Sequence, residues 1–232
     1  MAPSQATISE RVLRALLGST LLCALFYGYR LHQLGEVALS YLPWNLLLAW
    51  IPLGLSLGLV ALLRRRRWSD WLTLLLTLVW VLFLPNSFYL VSDFIHLQEV
   101  ATTNVLYDAV MFTVFVFTGL LLGFSSLYLV HRELLKRLPT RSAALVVAGL
   151  LLVCSFAIYI GRDLRWNSWD VLVSPAGLLF DLSNRVTQPT SWNEMFSTVA
   201  IFFALLGGMY YTGRQLLSDG RPPVGRDSQT HL

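Results

Sequence analysis

Three groups of polar residues interrupt an otherwise apolar chain, and their types are those that handle protons and anions. The first is Asn86, Tyr89, Asp93 and His96, at offsets of zero, three, seven and ten within WLTLLLTLVWVLFLPNSFYLVSDFIHL. At roughly 100° per residue, a continuous helix would hold these four side chains within about 80° of one face. Tyr107 and Asp108 form the second group, at the start of an apolar run where a carboxylate suits the positive helix N-terminus. The third is the run GRDLRWNSWD from Gly161 to Asp170. His96 beside the carboxylates of Asp93 and Asp108 would work as a general acid or base. Arg162 and Arg165 would receive an anionic group, with Asn86, Tyr89, Asn167, Trp169 and Asp170 completing a substrate-binding set. Asp93, His96, Asp108 and Asp163 would alternatively suit a divalent cation, so metal and cofactor requirements stay open. A third use is purely structural, because acid–arginine pairs can simply hold helices together where water is scarce. The chain has no HExxH, GxSxG or Walker A pattern and no cysteine–histidine dyad.

The elements that must position these groups are membrane-spanning helices. The 232 residues are 56% hydrophobic and 13% charged, about half the charge of a soluble domain. Mean hydropathy is +0.61. Six apolar runs reach spanning length, near residues 11–29, 44–63, 71–97, 105–130, 143–162 and 192–213. The expected fold is all-α: one six-helix transmembrane domain over residues 1–217, then a polar, disordered cytoplasmic tail over 218–232. In the third run Asn86 lies fifteen residues beyond Trp71. That is ~22 Å into a slab ~30 Å thick, a depth at which polar side chains face protein or water.

Basic residues set the orientation. Thirteen lie on one face: Arg11, Arg14, Arg64 to Arg67, Arg132, Lys136, Arg137, Arg141, Arg214, Arg221 and Arg226. Four lie on the other: Arg30, Arg162, Arg165 and Arg185. The positive-inside rule makes the first face cytoplasmic, with both termini, and places all three polar groups at the outer side. The basic pI of about 9.3 is therefore read as topology, and nucleic acid is not an expected partner. Membrane lipids are, while the oligomeric state is open. Trp68 and Trp71 mark one membrane edge; Trp44, Trp166, Trp169 and Trp192 mark the other. Gly54/Gly58 and Gly119/Gly123 have the GxxxG spacing that lets helix backbones approach. Ser174-Pro175 opens a short outer interfacial helix, and Ser191-Trp-Asn-Glu194 reads as a capping box at the start of the sixth span. Cys23 and Cys154 both lie inside apolar runs and read as small buried hydrophobes.

In LFLPNSFYLVSDFIHL, then Tyr107-Asp108, then YIGRDLRWNSWD, the chain resembles the bacterial membrane family known as domain of unknown function 1361. The likeness extends from about Trp44 into the sixth span. Its matching positions are Pro85, Asn86, Tyr89, Asp93, His96, Tyr107, Asp108, Gly161, Arg162, Arg165, Asn167, Ser168, Trp169 and Asp170. Where the family often has Thr before the acid of the third helix, this chain has Ser92, which keeps a hydroxyl. The resemblance implies a six-helix bacterial inner-membrane protein and supports this choice of residues, but carries no reaction. The leading expectation is an enzyme or binding protein for a lipid or lipid-linked anionic substrate at the outer face. A small transporter or ion pathway, and a scaffold whose polar network is structural, are the alternatives. Only the third helix is broken beside a polar stripe, and no internal duplication is visible, which counts against the transporter.

Overall fold

The computed structural model describes residues 10–34, 39–97, 104–163, 166, 173–187 and 189–219. Among the described residues, seven α-helices follow in order: α1 (Glu10–Leu34), α2 (Tyr41–Leu63), α3 (Trp71–Tyr89), α4 (Val105–Leu135), α5 (Thr140–Asp163), α6 (Pro175–Thr187) and α7 (Pro189–Asp219). A 3-10 helix, Ser92–His96, follows α3. The described residues contain no strand. All the long helices, that is all but α6, are long and apolar enough to cross a membrane. Local chemistry sets several boundaries. Asp70 caps α3 by accepting from the Leu72 amide at 3.1 Å, and Asn104 caps α4 by accepting from Tyr107 at 3.1 Å. Pro175 opens α6, as expected of a proline at the first helical position. The capping box is not the start of α7, because that helix already begins at Pro189 and Ser191 lies within its first turn.

The core is a three-helix unit, α2 against α3 and α4, with α1 on α4, α5 on α3 and α7 on α5. Trp80, Leu84, Phe88, Phe112 and Phe115 are fully enclosed in it. Pro52 sits inside α2 and Pro85 inside α3. Hydroxyls from neighbouring helices bond the α2 backbone beside Pro52. Ser87 Oγ donates to the Ala49 carbonyl at 3.0 Å, and Ser126 Oγ donates to that of Pro52 at 2.9 Å. Trp80 Nε1 in turn donates to Ser126 Oγ at 2.8 Å, tying α2, α3 and α4 together.

The two GxxxG pairs behave differently. A Cβ on Gly119 would stand 2.5 Å from Leu90 Cδ1, and one on Gly123 would stand 2.5 Å from Phe88 Cε1. These glycines are the seat on which the end of α3 rests. Gly54 has nothing within 4 Å, and Gly58 meets only Leu76 at 3.8 Å, so the α2 pair is not a close-packing motif within the chain. Cys23 and Cys154 are buried and free. Residues 220–232, the greater part of the proposed tail, lie outside the described residues.

Candidate functional site

Asn86, Tyr89, Asp93 and His96 do not lie on a single continuous α-helix, because α3 ends at Tyr89. The Val91 amide bonds to the Phe88 carbonyl at 3.1 Å and the Asp93 amide to that of Leu90 at 3.2 Å, so the last turns tighten to i, i+3 pairing. Ser92 stabilises the change, its hydroxyl donating to the Tyr89 carbonyl at 2.6 Å. The hydroxyl kept at this position therefore serves the helix end. The 100° spacing holds for Asn86 and Tyr89, while Asp93 is re-aimed by the tighter helix.

Asp93 is 3% exposed and accepts from Asn45 Nδ2 of α2 at 3.0 Å. Asp108, in the first turn of α4, is fully buried against Arg30 of α1, with Nη2 to Oδ2 at 2.7 Å. Asp108 thus has a full counter-charge. Tyr107 secures the same corner: its hydroxyl donates to the Phe26 carbonyl at 2.7 Å, and its ring packs 5.1 Å from that of Tyr29. Phe94 of the 3-10 helix lies 6.1 Å from Phe112, one turn along α4 from Asp108.

Tyr89 reaches α5, donating from its hydroxyl to the Gly161 carbonyl at 3.4 Å. A Cβ on Gly161 would stand 2.9 Å from the Tyr89 ring, so the glycine permits this approach. Arg162 follows in the last turn of α5, half-buried. Asn86 is also half-buried, one turn below Tyr89. Trp166 donates from Nε1 to Asp181 of α6 at 2.9 Å, and its ring fills the space that a Cβ on Gly177 would need. The expectation that Arg165, Asn167, Trp169 and Asp170 join the site falls outside the described residues, as do the side chains of His96 and Asp163. Among the described residues no three His, Cys, Asp or Glu side chains are grouped to hold a metal ion.

Sequence reasoning missed two members of this layer, Arg30 and Asn45, which are the partners of the two acids. Arg30 carried a signal: a lone arginine ending an apolar span on the face with few basic residues. Asn45 carried a fainter one, as the only amide in the second apolar run. Two buried atoms stay unmatched at the Arg30–Asp108 corner. Arg30 Nε and Asp108 Oδ1 have no hydrogen-bond partner among the described residues. A donor and an acceptor therefore remain unused at the end of four apolar spans.

The family described as Protein of unknown function (DUF1361) matches residues 44–207 of the chain. Neither the curated proteins nor the solved structures give a match. The matched segment holds Asn45, Asp93, Asp108 and Arg162, while Arg30 lies before it.

Proposed function

We propose that this chain, which belongs to the DUF1361 family, is a multi-pass protein of the bacterial inner membrane acting at the outer face on a lipid or lipid-linked anionic substrate. The arginine-rich turn of residues 64–67 and both termini would face the cytoplasm, a placement supported by the thirteen-to-four division of basic residues. Leu179 and Phe180, both 65% exposed on α6, would then rest in the outer interface.

The observation that carries this reading is the unmatched pair, Arg30 Nε and Asp108 Oδ1. A buried polar atom without a partner is costly, and most such atoms in proteins are satisfied. A headgroup offering both an acceptor and a donor would complete the corner. Arg162 and Arg165 would hold the anion, and Trp169 would sit at headgroup depth. Asp93 and His96 are the acid–base pair if the bound group is transformed as well as held.

A second reading is a structural network, and a specific observation favours it. Asp93 and Asp108 already have partners on other helices, Asn45 and Arg30, so each bond also fastens the bundle. The transporter reading has weaker support, because among the described spans only α3 gives way to a 3-10 helix at this layer.

Lipid retention tests the proposal. Full-length protein purified in mild detergent should carry an anionic lipid or lipid-linked species identifiable by mass spectrometry. Replacing Arg162 and Arg165 together by Gln should lower that retention at least about tenfold, since removing even one charge-assisted hydrogen bond has that effect. Unchanged retention in a well-folded double variant would remove the substrate class from this layer.

A further inference from the structure

The far end of the bundle holds a second polar constellation that the layer above does not use. His131 of α4 is 2% exposed, and its Nδ1 lies 2.8 Å from the hydroxyl of Tyr210 on α7. His131 Nε2 is buried and has no partner among the described residues. Arg214 follows Tyr210 by four residues, so both occupy one face of α7. Arg214 has no carboxylate within 4.0 Å among the described residues. All three side chains line one cleft of about 180 Å³ between α4, α5 and α7. Its other walls are apolar, chiefly Val147, Leu151 and Phe203.

Those parts define a ligand. In the tautomer in which Tyr210 donates to Nδ1, His131 carries its proton on Nε2, a donor with no partner among the described residues. The half-buried guanidinium of Arg214 is a second donor and supplies positive charge. A free anion would match the donors but waste the apolar walls. From Ala144 to Leu151 the wall runs about 10 Å along α5, away from the end where Arg214 sits.

We propose that this cleft binds an anionic phospholipid of the leaflet at the arginine-rich end. The phosphate engages Arg214 and His131, and one acyl chain lies along Val147, Leu151 and Phe203. The cleft is a separate site from the Arg30–Asp108 layer and can fail or hold independently of it.

Photolabelling with mapping tests this on the full-length protein in lipid nanodiscs. The probe is a phosphatidylglycerol with a diazirine midway along one acyl chain, compared with the phosphatidylcholine of the same chain. Adducts should map to the segments around residues 144–151 and 203–211, and should be markedly fewer with phosphatidylcholine. Arg214→Gln should cut their yield about tenfold, whereas Arg214→Lys, which keeps the charge, should retain most of it. Arg162→Gln, at the opposite end, should leave it unchanged. Equal labelling by phosphatidylcholine, or labelling indifferent to Arg214→Gln, would overturn the proposal.

Discussion

At the residue scale, partnership decides how each polar group behaves. Arg30 and Asp108 are 4% and 0% exposed, so removing one charge leaves the other buried without its mate. Arg30→Met or Asp108→Leu alone should cost about 3–5 kcal/mol, read as a fall in detergent unfolding temperature. Asn45→Leu should cost less, about 1–3 kcal/mol, because Asp93 loses a neutral donor. His96 is a different case, as the only histidine in the three polar groups marked out by the sequence and the only side chain in them whose ordinary pKa lies near neutrality. His96→Gln should insert and fold normally yet fail to complement a deletion strain. Full complementation would reduce His96 to a polar helix end and take away the acid–base reading.

At the element scale, the end of α3 rests on α4, and glycines set the distance. Gly119→Ala and Gly123→Ala force a methyl against Leu90 or Phe88, at separations too short for either helix to absorb without moving. Each should destabilise by about 1–3 kcal/mol, and the displacement should reach Asp93 through the 3-10 helix. Gly54→Ala has open space around it and should be neutral or stabilising by up to about 1 kcal/mol. Thermal unfolding of these variants side by side checks the contrast, and equal losses at all three would contradict it. Sequence alone could not separate the two pairs, since both have the same spacing and the difference lies in what each faces. Helix count, by contrast, was legible, because each apolar run is long enough to declare itself. The break after Tyr89 was not: it depends on the Ser92 hydroxyl and the Phe88 and Leu90 carbonyls, which periodicity does not register.

At the scale of the whole molecule, orientation decides which leaflet each polar layer meets. Cysteines placed at Arg65 and Val173, both exposed, should react with an impermeant thiol reagent from opposite sides, Val173 from the periplasm. Reaction of both from the periplasm would overturn the topology. The native Cys23 and Cys154 are buried and should stay silent. The acids of the candidate layer were visible in the sequence; their pairing with Arg30 and Asn45 was not, because each partner lies on another helix, 78 and 48 residues away. Whether that layer works or merely fastens is decided most directly by complementation with Arg30→Met and Asp108→Leu combined. Replacing both members of a buried pair by apolar residues of similar volume is often nearly neutral for stability, so the double variant should unfold close to the wild type. The account predicts that it nonetheless fails to complement a deletion strain, because the corner that receives the headgroup is gone. Full complementation by a stable double variant would contradict it and leave the pair a helix clamp.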